Sequence, residues 1–417
     1  MRTLAFVLTV SLVTGSTTQA AEVRGTFSTL LAAREDPQNE EAVASIPLYE
    51  LVAMEVDALE IPGMDRSRVV LQGFGRLQLG DDELTEHSAD LGLFYLDAET
   101  GPMKLKLGRQ HLPYGVGRMA LIDGIDGRVD LGAGFSAKGF FGFTVHPELR
   151  HRTDNWQGGG RLAFNLATLG HLGEVGAAYL LRRQKGADRR HELGVDAFTV
   201  LGPTNWVALA VLNPAEQALV EARLSGTYRA SAAWSVTVDA ERVSPELFLP
   251  LNSIFSVFAD ASHDAFGAEI HFAPSPYYTV DLAGHAMLLA EEYLGYRATL
   301  RGVTYREPSH RSLIGAELRL LDEDNNGYLR GRLFTGLQLF QPFRVSADIF
   351  VYRFAEDING EELSLLAQAS VVYDITSSMR VAGTITGGTT PWAEAQVEGM
   401  LRFAYGWDVD LAREVGP

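Results

Sequence analysis

Polar and apolar residues alternate with a period of two along most of this chain. In ALVEARLSGTYR (218–229), Glu221, Arg223, Ser225 and Thr227 share one face, and Val220, Ala222, Leu224 and Tyr228 share the other. WSVTVDAER (234–242) and FRVSADIFV (343–351) repeat the pattern, as do YRATLRG, GAELRLL, TVDLAGH and WAEAQVEGMLRF. Such alternation predicts β-strands with one wet and one greasy face. Turn-rich segments separate them, among them QKGADRR, APSPYY, DEDNNG, DING and TGGTTPW. One connection, SPELFLPLNSIFSVFADAS (244–262), is long enough for a surface loop or for a segment that folds inward. No αβ alternation, long 3.6-residue period or break in composition interrupts the series, so the chain reads as a single β domain.

Full charges persist at mid-strand on the polar face. A soluble sandwich buries one face of each sheet and seldom repeats this pattern over so long a chain, whereas a water-filled lumen solvates such charges. Aromatic residues cluster near segment ends: Trp156, Tyr179, Trp206, Tyr228, Trp234, Tyr277, Tyr278, Tyr373, Trp392, Tyr405 and Trp407. The expectation is an all-β fold, a closed antiparallel transmembrane β-barrel of about 18 strands, within a range of about 16–20. A soluble solenoid or a pair of sandwiches is the alternative.

Composition sharpens this picture. The 417 residues carry 35 basic and 53 acidic side chains, a net charge of −18. That balance argues against nucleic acid as a partner. Beyond the first twenty residues no run approaches the ~18 apolar residues of a membrane-spanning helix, yet the mean hydropathy is +0.01. Strands must therefore use the apolar surface. Residues 1–20, MRTLAFVLTVSLVTGSTTQA, read as a secretory signal peptide, with Arg2, an apolar stretch and a small-residue cleavage site. The barrel is expected over 21–407, with 408–417 as a short tail. The last strand, AEAQVEGMLRFAYGW, resembles the carboxy-terminal signal strand of outer-membrane proteins, but the chain continues to Pro417. With no cysteine, this chain lacks disulfides, thiolate metal ligands and thiol nucleophiles.

Residues 107–127, LGRQHLPYGVGRMALIDGIDG, read as a connection between the alternating strand PMKLKLGRQ and a second strand, GRVDL. It contains neither G-x-x-x-x-G-K-[ST] nor G-x-G-x-x-G, and no helix follows it, which excludes a phosphate loop. Together with GRLQLG (75–80) and DGIDGRVDLG (123–132), this stretch resembles the alginate-export type of outer-membrane barrel and the porin-like barrels that serve exopolysaccharide secretion. The resemblance covers roughly residues 70–145 and matches Gly108, Arg109, Gln110, Tyr114, Arg118, Asp123, Gly124 and Arg128. It implies an 18-strand channel whose luminal arginines contact sugar chains. Strand parity disagrees at one point: Lys104, Lys106, Gly108 and Gln110 share the polar face, while Arg109 shares the lipid face with Leu105 and Leu107. Either the register shifts at Gly108 or the strand has left the bilayer there. Alternatively, the glycines only build turns and the arginines bind Asp123, Asp126 and Asp130.

Parity extends the luminal candidates to Lys104, Lys106, Arg223, Arg330 and Arg332, with Arg161, Arg297, Arg301, Arg319 and Arg344. Acids interleave on the same face, among them Asp239, Glu241, Asp281, Glu317 and Asp348. Such a wall serves either as a selectivity lining or as a neutralised ladder that stiffens the barrel. LDEDNNGYL opens like a calcium loop, but its twelfth position is Leu333 where a glutamate is required, so a hairpin turn is expected. The ten histidines form no metal or catalytic spacing, although His271 and His285 lie on candidate strands.

The reading is therefore a non-enzymatic outer-membrane channel of a Gram-negative cell that needs no cofactor or metal. Its function is export of an exopolysaccharide with periplasmic and inner-membrane machinery, or, alternatively, passive diffusion of small solutes. The expected partners are a polysaccharide, a periplasmic polysaccharide-export protein, outer-membrane lipid and lipopolysaccharide, and the barrel-assembly machinery.

Overall fold

The structure, a computed structural model, describes residues 22–35, 44–59, 61–79, 88–112, 120–145, 151–183, 190–244, 262–288, 293–323 and 327–410. Twenty-two antiparallel strands run in chain order around one ring. They are β1 Glu22–Glu35, β2 Pro47–Asp57, β3 Arg66–Gln78, β4 Ser88–Thr100, β5 Met103–Leu112, β6 Ala120–Gly132 and β7 Phe135–Val145. The ring continues with β8 His151–Asn165, β9 Leu172–Arg183, β10 Arg190–Leu201, β11 Thr204–Asn213, β12 Ala218–Arg229, β13 Trp234–Val243 and β14 His263–Ser275. It is completed by β15 Tyr278–Leu288, β16 Leu294–Tyr305, β17 Leu313–Asp322, β18 Tyr328–Phe340, β19 Phe343–Ile358, β20 Glu361–Asp374, β21 Met379–Thr390 and β22 Ala393–Asp410. A two-residue bridge, Ala44–Ser45, pairs with the end of β1 and lies outside the ring.

The ring closes where β1 pairs with β22, from Glu22 opposite Asp410 to Arg34 opposite Glu398. This pairing carries the last strand three residues past the expected barrel end at 407. The closed all-β barrel agrees with the sequence pattern, but the expected count of about 18 strands is corrected to 22. Two-residue turns such as Gly101-Pro102, Ala133-Gly134 and Gly202-Pro203 join strands with almost no polar interruption, so hydropathy merges neighbours. The stretch 107–127 is likewise mostly strand. Residues 120–127 pair with β5 on one side and, from Ile122 onward, with β7 on the other, and partners on both sides hold this glycine-rich segment extended. Tyr114 and Arg118 lie outside the described residues, as do residues 1–21, the tail from 411, nearly all of 244–262 and part of the DEDNNG turn.

Parity assigns the two faces. Leu224, Val238, Leu282, Leu300, Leu318, Ile349 and Leu401 all project from the outer wall and are exposed. Near the end that carries Glu22 of β1 and Asp410 of β22, aromatic side chains flank this band. Trp234 stacks on Phe272 with ring centroids 4.1 Å apart. The indoles of Trp206 and Trp407 lie across Gly226 and Gly25, where they leave no room for a Cβ. Toward the other end Phe141, Phe143 and Trp156 form a second aromatic group. An apolar band between aromatic belts is the arrangement required of a lipid-embedded barrel.

The inner wall is uneven. On β5–β12 toward the end away from the termini, Leu112, Ile122, Phe140, Ala178, Leu180, Val211 and Val220 form a cluster only 0–9% exposed. Elsewhere ion pairs are interspersed with apolar and neutral polar residues, such as Leu51 and Phe74 on β2 and β3 and the Ser370–Thr384 hydroxyl pair on β20 and β21.

Placing arginine on the outer wall tests this parity. Leu282, 49% exposed on the outer wall, and its luminal neighbour Ala283, opposite Glu269 and Thr299, form the pair to compare. Leu282→Arg is expected to lower stability in lipid vesicles by about 2–4 kcal/mol, and Ala283→Arg by less than about 1 kcal/mol. Urea unfolding midpoints measure both, and equal losses would overturn the assignment of faces.

Candidate channel lumen

Antiparallel register sets charges of opposite sign beside one another on the inner wall. Arg24 on β1 reaches both Glu55 at 3.1 Å and Asp57 at 3.0 Å on β2. Arg68 on β3 bridges Glu55 at 2.9 Å and Asp97 on β4 at 2.7 Å. The ladder continues with Lys104 on β5, 2.5 Å from Glu99, and Lys106 lies over the Tyr95 ring, 5.3 Å from its centroid. Arg161 on β8 binds Glu174 at 2.6 Å and Asp196 at 2.5 Å. Arg68, Asp97, Glu99, Lys104, Lys106, Asp126, Arg128 and Lys138 together line a recess of about 280 Å³. Pairing of this kind lets a wide wall carry charge with little net field and little mobility.

The wall from β13 to β19 is built differently. His285 Nε2 lies 3.1 Å from Asp239, and His271 Nδ1 lies 2.5 Å from Asp281. Arg330 is ion-paired with Glu317, and Arg332 with Asp348 at 2.6 Å. Phe334 serves as a platform for two guanidiniums, Arg332 at 4.6 Å and Arg301 at 5.2 Å from its ring centroid. Among the described residues Arg297, Arg301 and Arg319 have no carboxylate within ion-pair distance. No group of three or more histidines and carboxylates among the described residues could hold a metal ion.

The candidates read from the sequence therefore divide. Lys104, Lys106 and Arg128 come together at the recess, where Arg128 also pairs with Asp130 at 3.1 Å. Arg330 and Arg332 occupy the distant β18 wall. Arg223 stands between them in chain order, 2.8 Å from Glu221 and 3.9 Å from Glu241.

Arg109 and Asp123 bind each other. Pairing between β4 and β5 stops at Phe94–Arg109, whereas β5 stays paired with β6 as far as Leu112–Ala120. Arg109 occupies the resulting fork, 13% exposed. Its Nε and Nη2 donate to the two carboxylate oxygens of Asp123 at 2.8 and 3.0 Å, and its Nη1 donates to the Leu91 carbonyl at 2.7 Å. Asp90 lies 3.5 Å away. Gly108 makes the fork possible. Its φ of +125° suits glycine, and a Cβ there would run into the Phe94 carbonyl. Gln110 is buried on the luminal side, its Nε2 donating to the carbonyls of Lys106 and Gly124 at 3.3 and 3.4 Å.

Sequence reasoning missed the ladder formed by Arg24, Glu55, Asp57, Arg68 and Asp97. The same parity on β2 and β3 also presents Leu51, Ala53, Val70 and Phe74, which hides the polar face from an alternation test. A usable signal was the R-x-R spacing of Arg66 and Arg68 set against E-x-D at Glu55 and Asp57, which antiparallel pairing brings side by side.

No protein-family model and no curated protein sequence matches the chain. Several solved barrels resemble it at low similarity. A BenF-like porin from Pseudomonas fluorescens Pf-5 has 9% identity and a TM-score of 0.45, with 93% of this chain and 99% of that one covered. The translocation pore of the P pilus usher PapC has 8% identity and a TM-score of 0.47, over 93% of this chain and 99% of that one. OccK2 (OpdF) of Pseudomonas aeruginosa, solved in complex with glucuronate, has 9% identity and a TM-score of 0.43, over 93% and 98%.

The fork makes a distinct demand on Arg109. Arg109→Ala removes the donors that Arg109 gives to the Asp123 carboxylate and the Leu91 carbonyl and is expected to cost about 1–3 kcal/mol of stability. Arg109→Lys should recover only part of that, because one ammonium cannot reproduce the paired donation. Chemical unfolding of the refolded barrel provides the readout, and an unchanged midpoint in Arg109→Ala would remove the staple role.

Proposed function

We propose that the chain is a passive channel for small solutes in the outer membrane of a Gram-negative bacterium. The observation that carries this reading is the closed ring itself: an apolar, aromatic-belted outer wall around an inner wall of ion pairs that only water can solvate. Charge pairs of this kind orient water and solutes without a moving part, so transport follows the concentration gradient and draws on no cofactor. Glu22 of β1 and Asp410 of β22 share an end with the two-residue turns Gly101-Pro102, Ala133-Gly134 and Gly202-Pro203. In such barrels the short turns face the periplasm, and on that reading the opposite ends of β3 and β4, at Gln78 and Ser88, face the cell surface.

Polysaccharide export drew its support from the GRQ…DG neighbourhood. Arg109 and Asp123 of that neighbourhood are committed to each other at the strand fork, so this support does not extend to sugar contact. A passive channel also requires no periplasmic export protein. Its assembly partners are the outer-membrane lipid and the barrel-assembly machinery that inserts such strands.

Reconstitution decides between the two readings. The purified mature chain in planar bilayers is expected to give stepwise conductance in potassium chloride, unaffected by added alginate. Liposomes containing it should swell faster in arabinose than in raffinose. A barrel that is folded and inserted yet silent in both assays would refute the channel, and block by the polymer would restore export.

A further inference from the structure

We infer that His271 and His285 set the ion selectivity of the lumen, because each proton they bind adds a positive charge to a wall whose arginines do not outnumber its carboxylates. This rests on the channel reading and names the residues that give it specificity. Both histidines stand on the inner wall, hydrogen-bonded to an aspartate. His271 on β14 faces Asp281 on β15, with its Nδ1 2.5 Å from the carboxylate. His285 on β15 reaches Asp239 on β13, two strands away, its Nε2 lying 3.1 and 3.2 Å from the two oxygens. Gly267 on the intervening strand makes that reach possible. It stands between Asp239 and His285 in register, and a Cβ there would run into the imidazole.

Register identifies the groups around both rings. One row runs from Ser235 through His271, Asp281, Arg301 and Glu317 to Arg332. A second runs from Ser225 through Asp239, Gly267 and His285 to Arg297. Between them lie Thr237, Glu269, Ala283, Thr299, Arg319 and Arg330. Beyond the second row Glu241 stands opposite Arg223 and Ala265, and His263 stands opposite Val243 at the end of β14. The five arginines of β16–β18 thus share this wall with Asp239, Glu269, Asp281 and Glu317, and with Asp348, which binds Arg332. Arg223 is itself shared by Glu221 and Glu241. The wall has no positive surplus of its own, so protons on the two imidazoles decide whether one exists.

Imidazole is the side chain whose ordinary charge change falls between about pH 5 and 8. Across that range ordinary carboxylates stay ionised and guanidiniums stay charged. A neutral imidazole still donates one N–H, so each histidine keeps its bond to aspartate in both states and only the charge changes. His271 is 42% exposed and His285 13%, so both lie at the boundary between wall and water. A charge placed there acts on ions that pass within about 10 Å, and the low-dielectric wall concentrates its field. Acidification makes the wall more positive and therefore favours chloride over potassium.

Planar-bilayer recordings of the full chain in a potassium chloride gradient, at pH 8 and at pH 5, test this. The wild-type chloride-to-potassium permeability ratio is expected to rise by about twofold or more on acidification. In His271→Asn/His285→Gln, whose amides offer each aspartate a donor but take up no proton, the ratio should be the same at both pH values. His191→Gln, which removes an imidazole bound to Tyr179 on the outer wall, should leave the wild-type response intact. If the double variant fails to fold by its heat-dependent gel mobility, the two single variants decide, each expected to lose about half of the response. A wild-type barrel that conducts at neither pH refutes the channel reading. One that conducts with selectivity independent of pH, or whose pH response survives in the histidine variants, refutes only the role of the histidines.

Discussion

A strand edge left open in hydrocarbon exposes a row of amides and carbonyls that no water reaches, at several kcal/mol each. That cost makes pairing of β1 with β22, from Glu22–Asp410 to Arg34–Glu398, the contact on which the fold depends. The two strands are the first and last of the ring, so the most distant parts of the sequence must meet before any other pairing is secure. Once closure is imposed, side-chain parity has only one consistent solution. A one-residue slip in any strand would turn its charges into lipid and its leucines into water, and the ladder of paired charges inside helps to penalise such slips. Arg68 illustrates this, because it spans Glu55 and Asp97 on the strands to either side and fits one register only.

Closure also explains which features could be read from the sequence. Alternation identified both faces of β12, β13, β15 and β19, because Glu221, Asp239, Asp281 and Asp348 lie on strands whose opposite face is an unbroken run of apolar residues. The count fell short because it relied on polar punctuation, and turns such as Gly101-Pro102 supply almost none. The first quarter of the barrel was the least legible part, where leucine, valine and phenylalanine share the luminal parity with arginine. The fork at Arg109 was beyond reach for another reason. Gly108 can be seen to permit an irregular strand, but whether β4 leaves β5 above Phe94 depends on the bulge between Gln72 and Gly73 pairing with β4, a long-range fact.

The same fork shows why a motif and a site are different things. Arg109, Asp123 and the glycines around them are the most conspicuous chemistry in the sequence, yet their geometry is that of a strut. Arg109 commits three of its five N–H donors to Asp123 and a backbone carbonyl while only 13% exposed, which holds it in place. Arg297, Arg301 and Arg319, which have no carboxylate within ion-pair distance among the described residues, belong to no motif and look like ordinary members of an alternating strand. What distinguishes them emerges only once register has set their neighbours, with Asp281 beside His271, Glu317 beside Arg330 and Asp348 beside Arg332.

Chain-wide charge is therefore a poor guide to the lumen. The net charge is −18, which taken alone suggests a cation-preferring channel. Much of that excess lies in the acidic stretches REDPQNEE and DDELTEHSAD, and charge in contact with water and salt is screened over about 10 Å. On the inner wall many carboxylates sit beside a cation, singly as Glu99 with Lys104 and Asp348 with Arg332, or two to one arginine as Glu174 and Asp196 with Arg161, and a paired charge contributes little at a distance. A permeating solute responds to the few charges left over at short range, between low-dielectric walls that concentrate their field. On β16–β18 five arginines share the wall with Asp239, Glu269, Asp281, Glu317 and Asp348, so the field there is set by how these charges are arranged and not by the protein's net charge.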